Sequence, residues 1–183
     1  MNRIKKLIES YSSFISVPWK EETAAEQRVI FCVYHMDDEL RLRSQLGEFA
    51  LATTKANHTW NQFDLTNSFA DWMSGERYSK SFFKNPETFP DHPEYYLKDL
   101  IKKFEAFTKE NSIGDNSVVC LYGVGSLFGL LSVSQVVQEF SKFFRGRLVV
   151  MFPGNYENNV YRLLDAYDGW NYLAVPITSH KDY

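Results

Sequence analysis

The stretch VVCLYGVGSLFG, residues 118–129, joins an uncharged apolar run to two closely spaced glycines. The run VVCLY is short and rich in β-branched and aromatic residues, which is typical of a strand buried on both faces. Gly123 and Gly125 permit a tight turn after it. The helix behind that turn is indicated by apolar residues at helical spacing, namely Val133, Val136, Val137, Phe140 and Phe144. A strand, a turn and an amphipathic helix in this order predict a parallel sheet covered by helices.

The other predicted strands are apolar runs of the same kind. They are RVIFCVY (residues 28–34), RLVVMF (147–152) and NYLAVPI (171–177), with HTWNQFDL (58–65) as a weaker candidate. We expect RLVVMF to stop at Pro153-Gly154, and Pro176 to lie at a sheet edge or near the end of its strand. The predicted fold is α/β, with three layers and a mainly parallel sheet of about four to five strands flanked by helices. A single domain over residues 1–183 is the simplest organisation.

Helices are predicted where apolar residues recur every three or four positions. These sets are Ile4, Leu7, Ile8 and Tyr11; then Leu42, Leu46, Phe49 and Ala50; then Leu97, Leu100, Ile101, Phe104 and Phe107. Asp37 is expected to cap the second of these helices. Residues 66–92, which include Trp72, are expected to form short helices and loops and to offer a partner surface or a lid.

The composition argues for a soluble protein without a nucleic-acid surface. The 183 residues include 20 basic and 23 acidic side chains, for a net charge of −3, whereas nucleic-acid binders generally show a basic excess. Cys32 and Cys120 lie within apolar runs and are expected to be buried thiols in a reducing compartment. No apolar run is long enough for a membrane span, and no signal peptide is apparent, so the expected location is the cytoplasm. The 15 Phe and 11 Tyr leave aromatic residues for a partner surface beyond those the core needs.

Three segments are expected at the carboxyl edge of the sheet, where parallel α/β sheets bind ligands. They are HMDDE (residues 35–39), GVGSLFG (123–129) and FPGNYENN (152–159). The second, which we call the glycine loop, lacks the third glycine position of a dinucleotide fingerprint, and no acid follows the next strand. It also lacks the lysine of a phosphate-binding loop, so a tight turn is favoured and no cofactor is expected. Ser126 is out of place for a nucleophile elbow and is expected to cap the next helix.

Asp37 and Asp38, together with His35, form the best candidate for chemistry. Two carboxylates at the end of a strand can hold Mg²⁺ for phosphoryl transfer, with Glu157 or Asp64 adding a ligand. Acids at the start of a helix are also what capping and the helix dipole favour, and we prefer that structural interpretation. The scattered residues His58, His92 and His180 lack the spacing of a zinc site, so no metal is expected.

Four short motifs follow one another in the last third of the chain. They are GVGSLF (residues 123–128), VVMFPGNY (149–156), YRLL (161–164) and NY (171–172). In order and spacing they resemble the BrxB family, small components of BREX (bacteriophage exclusion) defence systems in bacteria. The resemblance covers Val118 to about Ile177, and the remainder is similar in outline only. The chain departs from the family's pattern at Gly129, which replaces a proline, and at Ser132 and Ser134, which replace an arginine and a histidine.

The resemblance implies a non-enzymatic accessory subunit of a phage-defence complex. BrxB-type proteins act beside an ATPase, a DNA methyltransferase and an alkaline-phosphatase-like PglZ protein, and a PglZ-type protein is the first partner to expect. The residues expected to bind it are Trp72, Pro153, Gly154, Asn155, Tyr156 and Asn158. Trp72 and Tyr156 are the expected anchors, because interface energy concentrates in large aromatic residues. The family-motif positions expected to be structural are Gly123, Gly125, Ser126 and Phe128.

Three alternatives to an accessory subunit stay open from the sequence. The first is a Mg²⁺-dependent phosphoesterase or nuclease that uses Asp37 and Asp38. The second is a degenerate nucleotide sensor at the glycine loop. The third is a plain DNA-binding protein, which the acidic charge balance disfavours.

Overall fold

The computed structural model describes residues 3–20, 22–77, 79–87, 93–164, 166–170 and 174–179. Its helices are α1 (Arg3–Ile15), α2 (Glu39–Ser44), α3 (Leu46–Lys55), α4 (Ser68–Gly75), α5 (Ser79–Lys84), α6 (Pro93–Glu110) and α7 (Val133–Phe140). Its strands are β1 (Val29–Tyr34), β2 (Thr59–Asp64), β3 (Ser117–Tyr122), β4 (Arg147–Glu157), β5 (Val160–Leu163), β6 (Ala166–Trp170) and β7 (Val175–Ile177). The predictions that concern His92, His180 and Asn171-Tyr172 fall outside the described residues.

The central sheet is parallel and has the strand order β2-β3-β4-β1-β7. The connection from β1 to β2 therefore passes over two strands, and α2 and α3 make that crossing. β7 pairs with β1 at the end of this order, with Pro176 opposite Phe31, so the expectation of an edge position for Pro176 is confirmed. The predicted α/β fold with a mainly parallel sheet is confirmed as well.

Alternate residues of each strand point to two separate cores. Val29, Phe31 and Val33 of β1 face the core that contains residues of α4, α6 and α7. Ile30 and Cys32 face the opposite core, which α1 and α3 cover. Because helices cover both faces, β1, most of β3 and the first part of β4 are continuously buried and carry no alternating pattern, whereas β2 at the end of the strand order keeps polar, partly exposed residues.

The surplus of phenylalanine is largely used in the first of these cores. Phe104 of α6 stacks on Phe140 of α7, with ring centroids 3.9 Å apart. Phe63 of β2 meets Phe104 edge to face at 5.2 Å and Phe107 at the same distance. Such aromatic pairs contribute about 0.5–1.5 kcal/mol each beyond the apolar area that they bury. The abundance of aromatic residues is therefore mainly a property of the core.

The prediction that the strand after residue 147 stops at Pro153-Gly154 is wrong. β4 continues to Glu157, changes partners after Pro153, and then pairs with β5 as an antiparallel hairpin. The two turn residues Asn158 and Asn159 both have positive φ, 52° and 63°, which matches a two-residue hairpin turn. Proline is tolerated at position 153 of this strand. Its carbonyl accepts a hydrogen bond from the Leu164 amide at 2.8 Å, and no amide hydrogen is needed from residue 153.

Candidate functional site at the carboxyl edge

A cavity of about 370 Å³ opens where β1, β4 and β7 end and α1 begins. Its lining comes from Arg3, Ile4, Leu7, Val33, Tyr34, His35, Gly154, Asn155, Tyr156, Glu157, Thr178 and Ser179. We call it the carboxyl-edge cavity. Its position matches the place at which parallel α/β sheets usually bind ligands. The expected segments around His35 and around Asn155 meet here, whereas the sequence contained no signal for Arg3, Thr178 or Ser179.

The hairpin, residues 154–163, forms one side of this cavity and has two different faces. Tyr156 and its cross-strand neighbour Tyr161 point towards the core, and their ring centroids lie 4.6 Å apart. Tyr161 is buried and donates a hydrogen bond to the Ala174 carbonyl at 2.9 Å, and burial raises the pKa of its hydroxyl. Asn155 and Glu157 lie on the opposite, exposed face. The hairpin is therefore anchored by tyrosines and presents polar groups to solvent.

Gly154 is required by the close approach of the two hairpin strands. A Cβ added to Gly154 would overlap the carbonyl oxygen of Arg162 on β5. At the tip, the Tyr156 hydroxyl donates to the Asn159 side chain at 2.9 Å, which holds the turn against the strand. Asn158 is exposed beside it. Of the residues predicted to bind a partner, Gly154 and Pro153 therefore have a structural part, while Asn155 and Asn158 are accessible.

The glycine loop turns sharply because it packs against the connection between β2 and α4. Gly123 has φ of 73°, and an added Cβ would lie 2.7 Å from the Thr66 backbone nitrogen. Ser126 donates to the Leu65 carbonyl at 2.7 Å from within a 3₁₀ turn. The expectation that Ser126 caps the following helix is wrong, because Ser132 accepts the hydrogen bond from the Gln135 amide at the start of α7.

The glycine loop also lies against β4, so two of the family-like motifs are neighbours. A Cβ added to Gly125 would meet the Pro153 ring at 3.7 Å, an ordinary packing distance. Phe128, the residue before the last glycine of the loop, keeps 47 % of its surface exposed. The motif positions Gly123, Gly125 and Ser126 are thus used in packing and hydrogen bonding, while Phe128 presents an aromatic ring to solvent.

Asp37 and Asp38 do not face a common point. The Asp38 carboxylate is buried and paired with Arg3 at 2.8 Å and with Arg41 at 3.1 Å. Asp37 is exposed, and its carboxylate lies 3.3 Å from His35 Nδ1. The expectation that Asp37 caps the next helix is wrong, because His35 Nδ1 instead accepts from the Asp37 amide. With one carboxylate neutralised by two guanidinium groups and the other in solvent, the pair is not arranged to hold one Mg²⁺ ion.

The two further metal ligands considered from the sequence, Asp64 and Glu157, do not complete a site with Asp37 and Asp38. Asp64 caps its own turn by accepting from the Thr66 amide at 2.8 Å and from the Thr66 hydroxyl. Glu157 is exposed on the hairpin. Over the part of the chain that the structure describes, no group of three or more histidine, cysteine or acidic residues is placed to hold a metal ion.

A polar network that the sequence did not predict lies beside the cavity. The Tyr34 hydroxyl donates to Glu39, and Arg43 donates to the other Glu39 oxygen at 2.6 Å. The Arg43 guanidinium also lies over the Tyr122 ring, 5.7 Å from its centroid. Burial raises the pKa of Tyr34, so this phenol stays protonated and acts as a donor. Tyr34, Glu39 and Arg43 are close in sequence, and Glu39 and Arg43 form an i, i+4 pair within α2, whereas Tyr122 belongs to the distant strand β3. The local spacing is compatible with the Glu39–Arg43 pair but does not indicate the contact with β3.

Trp72, one of the two expected anchors, does not lie at the surface. Only 7 % of its surface is exposed, and its ring packs against Tyr96 and Phe69 at centroid distances of 5.5 and 5.9 Å. The prediction of an accessible anchor at Trp72 is therefore wrong for the folded chain, because α4 turns this face towards α6.

Among the helices described, none is long and apolar enough to cross a membrane.

Comparison with known proteins identifies one family for this chain. The family model described as "BREX protein BrxB" matches residues 62–177, which is more than half of the chain. The match begins in β2, well before the first of the four short motifs at Gly123, and ends with β7. It contains the glycine loop and the whole hairpin. No curated protein and no solved structure matches the chain significantly.

Proposed function

Because this chain belongs to the BrxB family of BREX defence components, we propose that it acts as a non-enzymatic accessory subunit that binds a protein partner in the phage-defence complex. The observation that carries the proposal is the hairpin. Residues of the family motif leave the parallel sheet on an antiparallel extension in which β5 pairs with both β4 and β6, with Asn155 and Glu157 exposed on one face. Such an exposed polar face is suited to binding another protein.

The neighbouring surface supports a docking role as well. Phe128 is half exposed, and the glycine loop that carries it packs against β4 at Pro153. Interfaces generally combine an aromatic or apolar centre with a polar rim. We assign Phe128 to the centre and Asn155, Glu157 and Asn158 to the rim. Tyr156 takes part as the residue that holds the hairpin in shape, since its ring packs on Tyr161.

The arrangement of the candidate acids supports the non-enzymatic part of the proposal. Asp38 is committed to two arginines, so a phosphoesterase that uses Asp37 and Asp38 as metal ligands would first have to break a buried pair. In the glycine loop, the left-handed conformation of Gly123 and its lack of a Cβ serve the close approach to Thr66. We therefore prefer the accessory role to both the enzyme and the nucleotide sensor.

The partner that we propose first is a PglZ-type protein of the same defence system, met in the cytoplasm and without direct contact to nucleic acid. This choice follows from the family's setting. The net charge of −3 and the polar hairpin are compatible with a protein partner. Other components of the system are the next candidates.

Co-purification tests the proposal. We would co-express the tagged chain with the PglZ-type neighbour, isolate the complex and determine its mass. The double substitution Asn155→Arg with Glu157→Lys places bulk and positive charge on the exposed hairpin face. The matched control, Gln27→Arg with Glu48→Lys, makes the same chemical changes at exposed positions in a 3₁₀ turn before β1 and in α3.

The expected result is a stable complex with the unmodified chain and with the control variant. The hairpin variant should lose at least about tenfold in affinity, about 1.4 kcal/mol, while its thermal unfolding is unchanged. Equal binding by both variants would remove the hairpin from the interface. Failure of the unmodified chain to bind any product of its operon would refute the accessory role itself.

A further inference from the structure

A second cavity, of about 500 Å³, lies at the opposite edge of the sheet, where β1, β3 and β4 begin. Its lining consists of Ala25, Arg28, Ile113, Gly114, Asp115, Ser141, Lys142, Phe143, Phe144 and Arg145. We call it the amino-edge cavity. Among these residues Arg28, Lys142 and Arg145 are basic and Asp115 is the one acid. The cavity is therefore locally positive in a chain whose net charge is −3.

The hydrogen-bond donors of Arg28 are only partly used by the surrounding protein. Its Nη1 atom donates to the Phe144 carbonyl at 2.7 Å, which fixes the guanidinium at the cavity wall. Its Nε atom is buried and has no hydrogen-bond partner. A guanidinium group has five N–H donors, and the described protein groups accept from one of them here. A ligand that brings oxygen atoms to the accessible part of this guanidinium would therefore find donors that no described protein group uses.

A further guanidinium stands beside Arg28. The parallel register pairs Val29 with Leu148, so Arg28 and Arg147 are neighbours at the start of adjacent strands. Only 7 % of Arg147 is exposed, and its guanidinium lies 4.5 Å from the Trp19 ring centroid. Burial first, and then the charge of Arg28, lower the pKa of Arg147. The two positive charges therefore repel each other in a partly desolvated place.

The acids around the cavity leave these charges uncompensated. Lys142 is paired with Glu139 at 2.7 Å on the exposed side of α7. Across the described part of the chain, no carboxylate forms an ion pair with Arg28, Arg145 or Arg147. Three guanidinium groups at one end of the sheet thus have no anionic partner among the residues described. An anion with more than one negative charge would balance them better than a single carboxylate.

We propose that the amino-edge cavity binds the phosphate group of a small phosphorylated ligand. The planar fork of a guanidinium group matches the oxygen atoms of phosphate and donates two parallel hydrogen bonds to it. Arg28 and Arg145 supply such donors, Lys142 adds a point charge, and the dianion relieves the repulsion between Arg28 and Arg147. The cavity is larger than one phosphate group and has room for the rest of a small molecule.

This site is separate from the partner surface proposed above. The amino-edge cavity and the hairpin lie at opposite ends of β4, which begins at Arg147 and ends at Glu157. Loss of one site therefore leaves the other intact. Binding of a phosphorylated ligand would add a second function to the chain and does not depend on the identity of the protein partner.

The test uses pyrophosphate and inorganic phosphate as probes with the full chain. Affinity is measured by calorimetry and by thermal unfolding, at constant ionic strength kept with sodium chloride. The variant is Lys142→Gln with Arg145→Gln, both exposed positions that the core does not need. Its matched control is Lys5→Gln with Lys55→Gln, which removes the same charge from exposed positions of α1 and α3.

Pyrophosphate is expected to raise the unfolding temperature of the unmodified chain and of the control variant. The Lys142→Gln, Arg145→Gln variant should bind at least about tenfold more weakly, as expected for the loss of charge-assisted hydrogen bonds. An equal response in both variants, or no response beyond that of chloride, would overturn the proposal. Binding of an acidic peptide or a DNA oligonucleotide, without binding of pyrophosphate, would overturn it as well.

Discussion

Gly123 and Gly129 form a matched pair that can test why the glycine loop needs glycine. Both have left-handed backbone geometry, with φ of 73° and 74°. They differ in their surroundings, because a Cβ at Gly129 meets nothing within 4 Å, whereas a Cβ at Gly123 would lie 2.7 Å from the Thr66 nitrogen and 3.0 Å from its Cα. Alanine at Gly129 therefore measures backbone strain alone. Alanine at Gly123 measures the same strain together with a steric clash.

The two costs can be worked out separately. Left-handed geometry costs a non-glycine residue about 1–2 kcal/mol, which is the whole expected loss for Gly129→Ala. At Gly123 the added carbon is well inside the ordinary contact distance of about 3.5–4.0 Å. Thr66 cannot move away freely, since Asp64 holds its amide at 2.8 Å. Forced overpacking typically adds about 1–3 kcal/mol, so Gly123→Ala should lose about 2–5 kcal/mol in all.

Urea unfolding of the two variants beside the unmodified chain gives both free energies. Gly47→Ala is a suitable control, because Gly47 lies in α3 with nothing within 4 Å of its added Cβ. Alanine there should stabilise the chain by up to about 1 kcal/mol. If Gly123→Ala and Gly129→Ala lose the same free energy, the close approach to Thr66 is not a determinant of stability, and the packing argument for the glycine loop fails.

Two other predictions concern buried ionisable groups. Asp38→Asn should destabilise the fold by about 1–3 kcal/mol in urea unfolding because it removes a buried carboxylate from between two arginines, whereas Asp37→Asn should change stability by less than about 0.5 kcal/mol. Loss of Mg²⁺-dependent stabilisation in the Asp37→Asn variant would instead support the enzyme hypothesis. Burial raises the pKa of the thiols of Cys32 and Cys120, while the unfolded chain ionises them near about 8.5. The free energy of unfolding should therefore be undiminished by these thiols below about pH 8.5 and fall as pH rises above it, and the fall should be smaller in a Cys32→Ala, Cys120→Ala chain. An equally steep fall in both proteins would contradict the assignment to cysteine.

The central strands were predictable from the sequence because burial on both faces leaves a continuous apolar run. β1 and β3 have this pattern, and even the weaker β2 was recognised near Phe63. The helices were recognised by the spacing of residues such as Leu100 and Phe104, which proved to be buried. In both cases the local pattern and the tertiary environment agree, which is the condition under which periodicity is informative.

The hairpin was missed because two local signals conflict with a third. Pro153 and Gly154 are typical of a strand end, whereas the pair Asn158-Asn159, between Glu157 and Val160, is typical of a two-residue hairpin turn. The turn signal was the better guide, since Gly154 is needed where the Arg162 carbonyl passes close by. That contact arises between strands and cannot be deduced from the residues before the turn alone.

The candidate site was only partly predictable. Its place at the carboxyl edge followed from the parallel sheet, but Arg3 and Ser179 reach the cavity from the two ends of the chain. The position of Trp72 was not predicted because α4 is short and residues 66–92 show no clear apolar periodicity that would indicate which side of the helix is buried. The environment of Asp38 was equally hard to predict, because the arginine closest to its carboxylate is Arg3, which lies in α1 and is distant in sequence.

β4 passes from the core into the hairpin without an intervening loop, and this continuity restricts where the chain can change in length. Side chains alternate between faces along a strand, so one residue inserted beside Pro153 would turn the hairpin over, exposing Tyr156 and burying Asn155. Two inserted residues would restore the faces and move the tip outward by about 7 Å. At Asn158-Asn159 the same insertions would alter only the turn. Tags, labels and natural length variation are therefore compatible with the tip of the hairpin and incompatible with its base.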